Sequence, residues 1–312
     1  MSDSSPGSHE AAAPRVLVGP RPDDEIAAAV TAAGGHLADD PADATALVMT
    51  GGPNDLRTLD HDGISWIQLP SAGIEGWFAA DVLRPDVTYT SAGGAYAPAC
   101  AEHCLALMLA LARRLDEFAQ ARTWQRNDGT TLFGARVAIV GAGGIGQELM
   151  RLLEPFGVTV DAVNHSGRPV PGAARTVAAD RLAEVIGDAD HVVDAAPDTP
   201  ASRGMIGAAA LAAMKPTAYL INVGRGPTID TEALLTALHD GQIAGAGLDV
   251  TDPEPLPDGH PLWTAPRTVI TSHTANPKAL NRAALIDRVR ENVGRLVTGQ
   301  PLLGLVDLDR GY

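Results

Sequence analysis

Cysteine is almost absent: the 312 residues contain two, Cys100 and Cys104, one helical turn apart. Two thiols in one apolar stretch cannot supply a disulfide framework. No Cys/His cluster of zinc-ligand spacing accompanies them, so no metal is expected. They read as small, core-facing residues of a helix. Positive charge is also scarce. Lys and Arg total 23 against 38 Asp and Glu, giving a formal net charge of −15. Such a surface repels polyanions, which excludes nucleic acid and an anionic membrane as partners. A single carboxylate can still be captured by a local cationic pocket. Long hydrophobic runs are missing too. The longest strongly apolar stretch, Cys104 to Ala112, falls far short of the ~20 residues that span a bilayer. The first residues lack the basic-then-apolar order of a secretory signal. A cytoplasmic location is therefore expected, with residues 1–14, rich in Ser, Gly and Ala, as a disordered tail. Aromatic residues make up only 4%, and Trp66, Trp77, Phe78, Tyr96 and Trp263 read as core or pocket-shaping residues.

What is present is an alternation of short apolar strands and helices with Gly/Pro punctuation. Strands are expected at 15–19, 46–50, 66–69 and 87–90, with a helix at 23–33. This first unit closes near residue 95. An Ala/Leu-rich helix is expected from Ala99 to Ala121, where no Gly or Pro interrupts the pattern. It is apolar on more than one face between Leu105 and Ala112, which buries it in a core or, as preferred, at a subunit interface. A second alternating unit then runs from Arg136 to about Thr271, with strands at 136–140, 159–164, 191–195, 218–223, 245–250 and 269–271. Helices at 146–154, 180–186, 208–214 and 231–240 separate them. Runs such as Val137–Val140 and Tyr219–Val223 fit strands buried on both faces of a parallel sheet. An amphipathic helix over 277–298 follows.

Only the second unit contains a phosphate-binding loop. Val137 to Val140 leads directly into Gly141-Ala-Gly143-Gly144-Ile145-Gly146 and then a helix. In this setting Gly141 makes the tight turn, Gly143 lets a pyrophosphate approach the backbone, and Gly146 lets the helix pack on the strand. A dinucleotide would meet the N–H groups at the positive end of the helix. An NAD-specific site normally ends its second strand with an acidic residue for the ribose 2′-hydroxyl, but that position is occupied by Asn164. Asn164 cannot repel a 2′-phosphate, and His165, Ser166 and Arg168 offer hydrogen bonds or charge to one. NADP(H) is therefore favoured over NAD(H). The alternative is that Asn164 bonds the ribose of NAD and Arg168 is merely solvated. Asp161 lies too early in the strand and reads as a strand or surface residue.

The stretch from Ala189-Asp190-His191 through Pro197-Asp198-Thr199, Arg203-Gly204, Met214-Lys215-Pro216 and Leu220-Ile-Asn222-Val-Gly-Arg225-Gly226 closely resembles the long signature of the D-2-hydroxyacid dehydrogenases. Ala72-Gly73-Ile74-Glu75, Ala101-Glu102-His103, Gly247-Leu248-Asp249-Val250, Glu254-Pro255, Ser272-His273-Thr274-Ala275 and Val306-Asp307 extend the resemblance from about Val16 onward. It implies an α/β architecture of two doubly wound parallel-sheet domains. A flavodoxin-like substrate domain (15–96 plus 277–312) would carry an inserted Rossmann cofactor domain (97–276), with the active site in the cleft. A homodimer through the 101–112 helix is also implied.

The family's catalytic Arg, Glu and His fall on Arg225, Glu254 and His273. The chemistry asks for the same types: a guanidinium to hold a 2-oxo acid's carboxylate, and a group titrating near neutrality to pass the proton. A carboxylate beside the imidazole tunes and orients it. Backbone at Ala72 and Gly73 would be a second carboxylate contact, Asp249 a nicotinamide contact, and Ala196-Pro197 and Val223-Gly224 cofactor-lining loops. Asp194 departs from the family pattern, standing where many members have an apolar strand residue. The implied reaction reduces a small 2-oxo acid, glyoxylate or hydroxypyruvate first, to the D-2-hydroxy acid. The alternative is a catalytically weak, dinucleotide-sensing binding protein of the same fold.

Overall fold

The computed structural model describes residues 13–124, 126 and 128–311. The expected tail at 1–14 lies, apart from its last two residues, outside them. The chain divides into two compact units. One runs to Ala95 and resumes at Asn281; the other is Tyr96–Leu280. The second division falls inside the last helix, four residues beyond the expected boundary after residue 276.

The first unit contains β1 (Arg15–Gly19), α1 (Asp24–Ala32), β2 (His36–Leu37), β3 (Ala46–Met49), α2 (Pro53–Leu59), β4 (Trp66–Gln68), α3 (Glu75–Ala79) and β5 (Thr88–Thr90). Its strands form one parallel sheet in the order β2-β1-β3-β4-β5. Every residue of β3 is buried, as a central parallel strand covered on both faces requires. Asp23 starts α1 by accepting from the N–H of Ile26, satisfying one of the helix's otherwise unpartnered donors. Two apolar clusters cover the sheet, one around Leu47, Met49, Ile67 and Trp77 and the other around Val16, Val48, Trp66 and Val293. Each fully buried aliphatic side chain contributes about 1.5–3 kcal/mol.

The second unit contains α4 (Ala97–Ala112), α5 (Leu115–Phe118), β6 (Arg136–Val140), α6 (Gly144–Leu153), β7 (Thr159–Asn164), β8 (Arg175–Ala178), α7 (Ala183–Ile186), β9 (His191–Asp194), α8 (Ala208–Ala213), β10 (Tyr219–Asn222), α9 (Thr231–His239), β11 (Gly245–Leu248) and β12 (Thr268–Ile270). The closing helix, α10 (Lys278–Thr298), returns the chain to the first unit. The seven strands are parallel in the order β12-β11-β10-β9-β6-β7-β8. The winding reverses between β6 and β9, and in open α/β sheets ligands bind at the carboxyl ends of the strands at such a switch point.

One expectation requires correction. The helix expected over Ala99–Ala121 stops at Ala112, and Arg114 takes a left-handed conformation with φ 56° before the short α5 begins. Its terminal carbonyls are taken from elsewhere in the unit: Arg267 donates to Leu111 O (2.8 Å) and the N–H of Thr130 to Ala112 O (2.7 Å). Tertiary capping of this kind overrides helix propensity. Much of the helix's apolar excess is also buried within the unit, where Ala101, Cys104, Leu107, Met108 and Leu111 pack with Val137, Ile139 and Leu149. Asp161 lies on β7, as the first of its two expected readings has it, and is buried. It meets Arg136 at 2.8 Å and Arg175 of the unforeseen edge strand β8 at 3.2 Å.

Candidate active site

The second unit gathers its loops along the carboxyl edge of the sheet, pressed together main chain to main chain. Gly141 follows β6 with φ +87°. A Cβ there would lie 2.5–2.6 Å from the backbone of Ala195 and Ala196, which follow β9. Next along the edge, a Cβ on Gly224 after β10 would meet Ala196 O at 2.7 Å. One on Gly226 would meet Thr251 O, after β11, at 1.9 Å. Only glycine permits these approaches. They join the loops after β6, β9, β10 and β11 into one continuous shelf.

At the β6 end, Gly143 caps α6 and Gly144 begins it, both exposed, with no side-chain hydrogen bond to the first turn. Gly146 is tight for an internal reason, since a Cβ would meet Gly141 O at 2.8 Å and Ile139 Cγ2 at 3.0 Å. Gly143 is different: nothing lies within 4 Å of a Cβ built there. The protein itself has no steric need for glycine at 143. The open space above helix N–H groups fits a dinucleotide pyrophosphate. Ile145 is half-buried in this first turn.

β7 ends in Asn164, whose side chain closes its own turn. Its amide donates to Arg168 O (2.8 Å) and its carbonyl oxygen accepts from the N–H of Ser166 (3.1 Å). Arg168 Nε donates to Ser166 Oγ (3.1 Å), and His165 is exposed on the same turn. Asn164 thus shapes a short exposed loop presenting a hydroxyl, an imidazole and a guanidinium, with no carboxylate.

At the other end of the shelf, Arg225, Glu254 and His273 follow β10, β11 and β12, three consecutive strands of the sheet. His273 Nδ1 lies 2.6 Å from Glu254 Oε1. The carboxylate takes Nδ1–H and leaves Nε2 as the nitrogen available to another partner. His273 itself has φ +50°, and its N–H donates to Asp249 O (2.8 Å). Such strain in a non-glycine residue persists only where the surroundings hold it. Here the hold comes from Asp249, 2% exposed. Its carboxylate accepts from Thr271 Oγ1 (2.6 Å), the N–H of Thr274 (2.9 Å) and the N–H of Ala275 (3.1 Å). Thr271, having spent its hydrogen on Asp249, accepts from His103 Nε2 (2.9 Å). Asp249, expected as a cofactor contact, therefore also fixes the loop carrying His273.

The loop carrying Arg225 is held in the same way by residues that sequence reasoning did not single out. Asn222 accepts from the N–H of Gly224 (2.9 Å) and donates to Arg225 O (3.0 Å). Thr228 Oγ1 also donates to Arg225 O (2.5 Å). The guanidinium of Arg225 donates to Gly224 O (2.7 Å) among its contacts. Val223 is buried and its N–H donates to Asp194 O (3.0 Å), while Pro197 stands exposed beyond Ala196. Ala72 and Gly73 belong to the first unit, in the loop after β4 where Ser71 Oγ donates to Gly73 O (2.6 Å). No group of His, Cys, Asp or Glu residues suited to a metal occurs among the described residues.

Comparison with known proteins agrees with this arrangement. Residues 105–275, more than half of the chain, match the model of the D-isomer specific 2-hydroxyacid dehydrogenase NAD-binding domain. An uncharacterised protein of Corynebacterium melassecola is 40% identical over 295 residues, covering 92% of this chain and 97% of its own length. Glyoxylate/hydroxypyruvate reductase A of Serratia proteamaculans is 34% identical over 214 residues, covering 68% of each chain. Among solved structures, a D-isomer specific 2-hydroxyacid dehydrogenase of Xanthobacter autotrophicus Py2 in complex with NADPH and MES superposes with a TM-score of 0.83 at 28% identity. That match covers 96% of this chain and 100% of the other. A strand–glycine loop–helix at the switch point, an Arg/Glu/His set beyond the neighbouring strands and a family match across both lead to one assignment. The chain belongs to the D-isomer specific 2-hydroxyacid dehydrogenases and is an NAD(P)-dependent oxidoreductase.

Proposed function

We propose that the protein reduces a small 2-oxo acid of the glyoxylate or hydroxypyruvate kind to the corresponding D-2-hydroxy acid, with NADP(H) favoured over NAD(H). The bound nicotinamide cofactor supplies the hydride, and the chain's own residues do the rest. Arg225 holds the substrate carboxylate, with a planar fork suited to bidentate contact. His273 delivers the proton to the substrate oxygen through Nε2, the nitrogen left over by the 2.6 Å bond from Nδ1 to Glu254. In the oxidation direction it takes that proton back. Glu254 sets the tautomer and ring orientation. That His273–Glu254 contact, on a loop strained at His273, is the observation that carries the reading.

Gly141, Gly143, Gly144, Ile145 and Gly146 would cradle the pyrophosphate, and Ala196, Pro197, Val223 and Gly224 would line the dinucleotide. The NADP(H) preference rests on the turn at 164–168. A reductase of Sinorhizobium meliloti solved with NADP and sulfate, 26% identical with a TM-score of 0.78, supports it. Leu105 and Leu109 of α4, half-buried in the single chain, are the part of that helix a second copy would cover in a homodimer.

The test is nicotinamide oxidation, followed by absorbance, with NADPH and separately NADH against glyoxylate, hydroxypyruvate, pyruvate and longer 2-oxo acids. Chiral analysis of the hydroxypyruvate product would accompany it. Turnover of the short acids, faster with NADPH, is expected, with hydroxypyruvate giving the D product. Tight dinucleotide binding with no turnover of any acid would replace this reading with the nucleotide-sensing one.

A further inference from the structure

Asp194 ends β9 with a side chain that is 0% exposed, and among the described residues the groups that meet its carboxyl are a hydroxyl and a backbone N–H, not a cation. Oδ1 accepts from the N–H of Ala196 (3.0 Å), and Oδ2 is hydrogen-bonded to Thr228 Oγ1. The same Thr228 oxygen lies 2.5 Å from Arg225 O. A hydroxyl has one hydrogen. If Asp194 were ionised, both neighbours of Thr228 Oγ1 would be pure acceptors, and one close oxygen–oxygen contact would contain no hydrogen. A proton on Asp194 removes the conflict: Asp194 donates to Thr228, and Thr228 donates to Arg225 O. Burial acts in the same direction, pushing the Asp194 carboxyl up to about 6.

We propose that Asp194 is a positioning residue of the Arg225 loop, acting as a neutral hydrogen-bond donor that frees Thr228 to fix the carbonyl of Arg225. This rests on the reading of Arg225 as the substrate-carboxylate residue. The carbonyl is then held from two sides, by Thr228 and by Asn222, in the residue whose guanidinium must be placed to within a fraction of an ångström. Ionisation of Asp194 draws the Thr228 hydrogen away and loosens one of the two supports.

Two measurements on the full-length protein test the proposal. Infrared difference spectroscopy of wild type against Asp194→Asn reads the carbonyl stretch of a protonated carboxyl. The band is expected in wild type at about pH 5, below the carboxyl's value of about 6, absent from the variant and retained in Arg225→Lys. Kinetics on Asp194→Leu and Thr228→Val should show KM for the 2-oxo acid raised on the order of 10-fold, with dinucleotide affinity unchanged in Thr228→Val and a cooperative urea transition retained in both as the check on folding. Asp194→Asn, whose amide donates to Thr228 and whose carbonyl accepts from Ala196, should recover most of what Asp194→Leu loses. A missing carboxyl band, or an Asn variant as impaired as the Leu variant, would overturn the proposal alone. An unchanged KM in Arg225→Lys would instead overturn the reading of Arg225 and the positioning role with it.

Discussion

Gly226 is the position where a single added carbon should separate the parts of the site. A Cβ there would lie 1.9 Å from Thr251 O, 2.2 Å from Thr251 C and 2.8 Å from Asp252 N, where side-chain Cβ atoms essentially never approach closer than 3.0 Å. Restoring even that limit requires 3.0 − 1.9 = 1.1 Å of movement, and all three obstacles are main chain, so no rotamer change can supply it. The φ of Gly226 is not in the left-handed region, so Gly226→Ala tests the close approach alone. The displaced segments are the loop of Arg225, one residue away, and the loop leading to Glu254. Misplacement by about 1 Å costs on the order of 10²-fold in rate, and the forced shift costs about 1–3 kcal/mol of stability. The assay is kcat/KM for the 2-oxo acid, with dinucleotide affinity and urea unfolding measured on the same preparation. A loss of on the order of 10²-fold is expected, with cofactor binding retained. A folded variant with wild-type kcat/KM would refute the claim that this contact sets the geometry of the site.

Gly143→Ala should leave the urea midpoint unchanged, because nothing among the described residues opposes the new carbon. It should weaken dinucleotide binding by about 10-fold or more by filling the space the pyrophosphate takes; unchanged affinity would contradict the cradle. Glu254→Gln keeps an acceptor for His273 Nδ1–H but removes its charge. It should lower kcat by about 10-fold or more with little change in KM, the pattern of an interaction made in the transition state; a change confined to KM would count against the role. Two buried groups should give the fold opposing pH dependences. Burial lowers His191 to about 4, so the unfolded chain binds the extra proton between about 4 and 6.5, and stability present above 6.5 is lost as pH falls to 4. Asp194, raised from 3.8 to about 6, works the other way, and its contribution at low pH is lost as pH rises through that window. Each amounts to about 3 kcal/mol. Asp194→Asn should therefore gain stability relative to wild type between pH 4 and pH 7, whereas His191→Leu should gain it relative to wild type at pH 4. A pH-independent difference in urea midpoint for either variant would show that the group is not buried as described.

Features set by neighbouring residues were legible from the sequence. The glycine loop at 141–146 needs only a strand before it and a helix after it, and both are written in adjacent apolar runs. Most strands of the second unit fall within a residue or two of their expected ends because burial on both faces leaves continuous apolar segments. Features set by register across the sheet were not legible. Thr228 reaches Asp194 across 34 residues, and Thr271 reaches Asp249 across 22. Nothing in either local pattern distinguishes those threonines from ordinary loop residues. Asp194 stands out in the sequence only as a polar residue where many members of the family have an apolar one; its partner Thr228 is not marked at all. Arg114 breaks an uninterrupted Ala/Leu helix because Arg267 and Thr130, both distant in sequence, occupy its terminal carbonyls. Asn164 stands where an acidic residue would mark an NAD site, and nothing in the local pattern shows that its amide also shapes the turn that presents Ser166 and Arg168.

The most direct test of the central claim is steady-state oxidation of NADPH by glyoxylate and hydroxypyruvate, comparing wild type with His273→Ala and using dinucleotide affinity as the control for folding. Ready turnover by the wild type and a loss of at least about 10²-fold in kcat for the variant are expected, with NADPH bound equally well by both. Equal turnover by the two proteins would contradict the assignment of His273 as the proton donor. No turnover by the wild type, despite NADPH binding, would contradict the reductase reading itself.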